Sequence, residues 1–206
     1  MQGAAEELWS RLCQLVGRGP RRIAVVGMQP GDGVTTTSVG LCHFLGKRMG
    51  LRPVLVEANL RAPSAQAAGL GPLGSVGLHG YWTRRSELED VVFALDPLAF
   101  HLVPAGEAAA SPLALVDAGN LSKTSLVLGS HFDLVVYDAP ALHTSPEAFK
   151  VLAHCEATIL VLRSGRVSPE IAAHWLARIE AEGGRVGAVC VNDVRAGLPT
   201  WLRQRV

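Results

Sequence analysis

The chain has 206 residues, with 19 Lys and Arg against 18 Asp and Glu, a formal charge of +1, and 49% hydrophobic against 18% charged residues. Apolar content this high excludes a disordered chain, and the near-neutral balance argues against a dedicated nucleic-acid binder, which carries a clear basic excess. The length suits one large domain with an ample core, so any anion has to be held locally.

Taken in chain order, the first segment places Leu8, Leu12, Leu15 and Val16 on one helical face, with Glu6, Glu7 and Arg11 elsewhere. It is predicted as an amphipathic helix laid on the domain, within residues 1–19. Short β-branched runs bounded by turn residues follow at Ile23–Gly27, Val54–Ala58, Phe100–Val103, Leu134–Asp138, Ala157–Leu162 and Gly187–Asn192. Most are apolar throughout rather than alternating, as strands buried on both faces of a parallel sheet require. Helix-length segments lie between them. Thr35–Met49 follows a glycine-rich turn, Ser145-Pro-Glu147 reads as a helix start, and Ser168-Pro-Glu170 repeats that signal before a helix over Ile171–Glu182 that Gly183-Gly184 ends. Residues 62–80, rich in glycine and without periodicity, read as a long mobile loop with room for one helical turn. Residues 194–206 form a C-terminal tail. The predicted fold is a single α/β domain, a mostly parallel sheet with helices on both faces, which collects ligands at the carboxyl ends of its strands.

The strongest local signal is Ile23-Ala-Val-Val-Gly-Met-Gln-Pro-Gly-Asp-Gly-Val-Thr-Thr-Thr37, a strand, a glycine-rich turn and a hydroxyl-rich helix start. Glycines let successive backbone N–H groups converge on an anion, and the helix adds its positive end. This is the context of a P-loop, although the usual G-K-[ST] has become Gly33-Val34-Thr35, without the lysine that reaches the β- and γ-phosphates.

Three segments, in order, resemble the bacterial tyrosine kinases (BY-kinases) of polysaccharide export, which belong to the MinD/ParA-like P-loop ATPases. Met28–Thr36 is similar to their A-x-x-P-G-[ED]-G-K-[ST]-T loop. Val54-Leu-Val-Glu-Ala-Asn-Leu-Arg-Ala-Pro-Ser64 resembles their apolar strand ending in D-x-D-x-R-x-P. Phe132-Asp-Leu-Val-Val-Tyr-Asp-Ala-Pro140 resembles their Walker B strand. Softer similarity at Leu102-Val-Pro-Ala-Gly106, Val161-Leu-Arg-Ser-Gly165 and Val189-Cys-Val-Asn192 extends the resemblance from about Glu7 to Asp193.

The resemblance implies a P-loop NTPase-like fold and a set of site residues. Gly31, Asp32, Gly33, Val34, Thr35 and Thr36 form the nucleotide-binding loop, joined by Arg61 of the second motif and by Asn192, where relatives read the adenine edge. Thr35 and Asp138 are the implied Mg²⁺ positions. Glu57 and Asn59 stand where the family has two aspartates and are read as vestigial catalytic positions. A charge-assisted hydrogen bond is worth about 1.5 to 3 kcal/mol, so losing the lysine weakens nucleotide binding by about ten- to a hundred-fold. The longer Glu57 and the uncharged Asn59 add losses that fall on the transition state.

The expectation is a degenerate member that binds ATP or ADP with Mg²⁺ weakly or not at all and regulates exopolysaccharide or capsule synthesis and export. Its implied partner is the cytoplasmic end of a membrane polysaccharide co-polymerase, with a homo-oligomer open and no nucleic acid. The enzyme alternative is an active ATP-dependent tyrosine kinase or ATPase in which Lys47, Lys123 or Arg61 restores the charge. A MinD/ParA-like positioning ATPase is the other. The family's terminal tyrosine cluster is absent, Tyr81 and Tyr137 being the only tyrosines, and of the E-x-x-R-x-x-R helix motif only Glu7 is kept, with Ser10 and Cys13 at the arginine positions. Cys13, Cys42, Cys155 and Cys190 lack C-x-x-C spacing and read as free thiols, and seven histidines show no ligand spacing. No apolar run is long enough to span a membrane, so a cytoplasmic protein is expected, peripheral at the inner membrane at most through its partner.

Overall fold

The apolar runs become a seven-stranded sheet in the order β3-β4-β2-β5-β1-β6-β7. The computed structural model describes residues 2–17, 19–64, 69–70 and 76–193. The strands are β1 Arg22–Gly27, β2 Pro53–Glu57, β3 Phe93–Leu95, β4 Phe100–Val103, β5 Leu134–Asp138, β6 Ala157–Arg163 and β7 Val186–Asn192. Every pairing is parallel except β3 with β4, where Phe93 faces Leu102. The helices are α1 Gln2–Val16, α2 Val34–Met49, α3 Leu78–Trp82, α4 Pro112–Leu115, α5 Leu121–His131, α6 Glu147–His154 and α7 Pro169–Ala181.

Strand side chains alternate between two apolar layers, which explains why the runs read as continuously apolar. Ile23, Val25, Leu55 and Val136 pack with Leu12 of α1 and with Leu41 and Leu45 of α2. Ala24, Val26, Val56 and Tyr137 pack on the other face with Leu128 of α5, Val151 and Leu152 of α6, and Ile179 of α7. The amphipathic first segment is helical as expected, with Ala5, Leu8 and Leu12 buried, while Glu7 pairs with Arg11 at 2.8 Å on its exposed side.

Four elements were not legible in the sequence, one of them α4, a single turn. β3 is a three-residue antiparallel edge strand, too short for a periodic signal. α5 follows a π-helical turn, Val116–Asn120, in which Gly119 (φ 75°) interrupts any helical repeat. α3 closes the glycine-rich segment, and part of the predicted mobile loop, residues 65–68 and 71–75, lies outside the described residues. So does the predicted tail, 194–206. All four cysteines are free, and no described helix is long and apolar enough to cross a membrane.

Candidate nucleotide site

β1 stops at Gly27 and α2 begins at Val34, and the six residues between them make a loop pinned by its own acid. Asp32 Oδ2 accepts from the backbone N–H of Met28 (3.0 Å) and of Gln29 (2.9 Å), and the residue is buried. Its charge is therefore turned into the loop, away from where a ligand would lie. The loop's bend depends on Gly31 (φ 86°) and Gly33 (φ 95°), in the left-handed region that favours glycine. A β-carbon on Gly33 would also collide with the Asn192 side chain. That side chain donates from Nδ2 to the Asp32 carbonyl at 3.2 Å, so Asn192 braces the loop. Beyond Gly33, the first amides of α2 have no intrahelical acceptor and are the groups that a phosphate would engage.

The floor of the site comes from neighbouring strand ends. β2 and β5 run in register with Glu57 beside Asp138, and both carboxylates are buried. Burial above all, with the Glu57 charge beside it, pushes the Asp138 carboxyl up to about 7 against the opposing pull of the Thr35 hydroxyl hydrogen-bonded to it. Glu57 is held from two sides. Its Oε1 accepts from the backbone N–H of Ser64 and from Ser64 Oγ (3.1 Å), and its Oε2 accepts from the Ala105 N–H at 2.8 Å. The same Ser64 hydroxyl lies 3.2 Å from Thr35 Oγ1, so the second motif folds over the start of α2.

Gly31, Gly33, Val34, Thr35, Thr36, Asn59, Arg61 and Asp138 line one cleft of about 490 Å³, together with Ser64 and Thr144. The sequence positions thus converge, apart from Asp32, Glu57 and Asn192, which act from behind the wall. Asn59 Oδ1 accepts from the Ala62 N–H at 3.2 Å and shapes its own turn. Arg61, expected to meet the nucleotide, instead donates to both oxygens of Glu147 (3.2 and 3.4 Å). Glu147 opens α6, where a carboxylate also meets the helix's positive end, and is buried. Lys47 cannot replace the missing lysine, because it lies in the last turn of α2, about 20 Å along the axis from Val34. Lys123 is exposed on α5 and does not line the cleft.

Ser64 and Glu147 were not found from the sequence. Glu147 was visible only as the acid of a helix start, and its partner Arg61 is 86 residues away. Thr35, Asp138 and phosphate would form a hard, all-oxygen donor set, the kind Mg²⁺ takes, and the Thr35–Asp138 hydrogen bond shows that the two protein groups already meet.

No family model matches the chain. It is 23% identical over 189 residues to the tyrosine-protein kinase CpsD of Streptococcus agalactiae, covering 91% of this chain and 82% of that protein. It is 31% identical over 192 residues to the chromosome-partitioning ATPase Soj of Thermus thermophilus, covering 89% and 66%. Among solved structures, the VpsO kinase domain superposes with a TM-score of 0.82 at 21% identity, over 94% of this chain and 96% of that one. The kinase domain of the Escherichia coli tyrosine kinase ETK gives 0.79 at 20%, over 87% and 70%. The MinD protein of Pyrococcus horikoshii complexed with Mg-ADP gives 0.69 at 20%, over 90% and 76%. The chain is accordingly a homologue of the bacterial tyrosine kinases, with the P-loop fold that their kinase domains share with the MinD/ParA-like ATPases.

Proposed function

We propose that this protein binds a magnesium nucleotide in the cleft without rapid phosphoryl transfer and serves bacterial exopolysaccharide or capsule synthesis as a nucleotide-sensing regulator. The observation that carries the reading is the state of the charged positions. Val34 supplies no cation, Glu57 is committed to the Ser64 and Ala105 amides, and Asn59 to the Ala62 amide. A general base has to reach the proton it removes, and a carboxylate held by two backbone donors is not free to move to it. Thr35 and Asp138 would hold Mg²⁺, which when bound neutralises phosphate charge. Gly31–Thr36 would cradle the phosphates, with Asn192 bracing the loop. Function then lies in docking, with the cytoplasmic end of a membrane co-polymerase as the partner that the kinase resemblance supports.

Calorimetric titration with Mg-ATP and Mg-ADP tests binding: saturation tighter than about 1 mM, about −4 kcal/mol, is expected. Transfer of radiolabelled phosphate should be negligible for the wild type and rise in the combined Val34→Lys, Glu57→Asp, Asn59→Asp variant. Clear wild-type turnover that is lost in Asp138→Ala would overturn the regulator and favour the second reading, an active kinase or ATPase. The observation favouring that alternative is the retained pair of Thr35 and Asp138.

A further inference from the structure

We infer that Arg166, on the loop between β6 and α7, which stands beside the Gly31 bend just outside the residues lining the cleft, reaches in to contact the phosphates of a bound nucleotide and supplies the positive charge that Val34 does not. The inference rests on the nucleotide reading and names the group that would meet the polyphosphate of a nucleoside di- or triphosphate.

A β-carbon built on Gly31 would stand 4.0 Å from Nη1 of Arg166, so the guanidinium lies beside the bend of the phosphate loop. This placement follows from how the loop is built. Gly165 takes φ 75°, the Arg166 N–H donates to the Arg163 carbonyl at 3.2 Å, and Val167 packs against the core. The Ser168 side chain then caps α7 by accepting from the Ile171 N–H. The loop is also tied to the residue that braces the phosphate loop. The Ser164 N–H donates to the Asn192 carbonyl at 2.8 Å, while the Asn192 side chain holds the Asp32 carbonyl. Asn192 therefore ties the backbone of the Arg166 loop to the phosphate loop.

Among the described residues, the other cations near the site are committed. Arg61 is paired with buried Glu147, and Arg163 is paired with Asp193 at 2.9 Å. Arg166 is exposed and takes part in none of the ion pairs found among the described residues. An arginine fork presents planar donors suited to phosphate oxygens, and it can approach from above a loop whose own side chain at the lysine position is apolar.

The test titrates wild type, Arg166→Ala, Arg166→Lys and the control Arg48→Ala with sodium tripolyphosphate and, separately, with Mg-ATP. Thermal melts check that each variant is folded. Arg166→Ala should weaken both ligands by about ten- to a hundred-fold, the range of a charge-assisted hydrogen bond. Arg166→Lys should recover part of the loss, and Arg48→Ala should match wild type. Equal affinities for wild type and Arg166→Ala would overturn the role of Arg166 and leave nucleotide binding standing. Tripolyphosphate binding that depends on Arg166, without any Mg-ATP binding, would support the arginine and overturn the nucleotide reading. Binding of neither ligand to wild type would overturn both.

Discussion

Asp138→Asn tests the electrostatics of the site directly. In the unfolded chain the carboxyl titrates near its ordinary 3.8, and in the folded metal-free protein burial and the neighbouring Glu57 push it up to about 7. The folded state thus holds the proton more tightly than the unfolded state does. The protonated carboxyl's contribution is complete below about pH 4 and is lost as pH climbs towards 7, above which the fold carries a buried carboxylate at full cost. At about 1.4 kcal/mol for each tenfold change in proton affinity, the total is about 4 kcal/mol, with relaxation around the charge lowering it. Asparagine keeps the shape and an acceptor for Thr35 but never ionises. Urea unfolding in the presence of a metal chelator, from pH 4 to pH 8, should therefore show variant and wild type nearly equal at the acid end. The variant should become more stable by several kcal/mol at pH 8. Added Mg²⁺ and nucleotide should then raise the wild-type curve and not the variant's, since binding to the folded state alone stabilises it. Parallel curves across the pH range, or a variant less stable than wild type at pH 8, would refute the reasoning.

Val34→Lys should tighten Mg-ATP binding by about ten- to a hundred-fold in calorimetry, the worth of one charge-assisted hydrogen bond. Arg61→Ala leaves buried Glu147 without its cation and should cost about 1 to 2 kcal/mol in urea, less than a fully buried pair because Arg61 is half exposed. Leu12→Ala empties the contact of α1 with Gly187 on β7 and should cost about 2 to 5 kcal/mol in the same assay, with nucleotide affinity unchanged. Tyr137→Phe removes the hydroxyl partner of buried Ser125 (2.6 Å) at the far side of the core. It should lower stability by about 1 kcal/mol without touching the cleft.

Six strands and the helices that start at a glycine turn or a Ser-Pro-Glu signal were legible in the sequence. A strand buried on both faces has to be apolar throughout, and a helix start needs specific residues. β3, α3, α4 and α5 were not read from either signal. The candidate cleft was legible to the same depth, because a phosphate loop is a local device: glycines and the following helix end are adjacent in the chain, and the replaced lysine shows in a single residue. The pairings that decide how the site is charged are not local. Arg61 finds Glu147, Glu57 finds Ala105, Asn192 finds Asp32, and Arg166 comes to lie beside Gly31, each across a long stretch of chain. The sequence by itself determined the sheet, the phosphate loop and the absence of its lysine. Only the tertiary structure decided which charges are spent within the protein and which remain for a ligand, because burial and pairing depend on what the fold brings alongside each group.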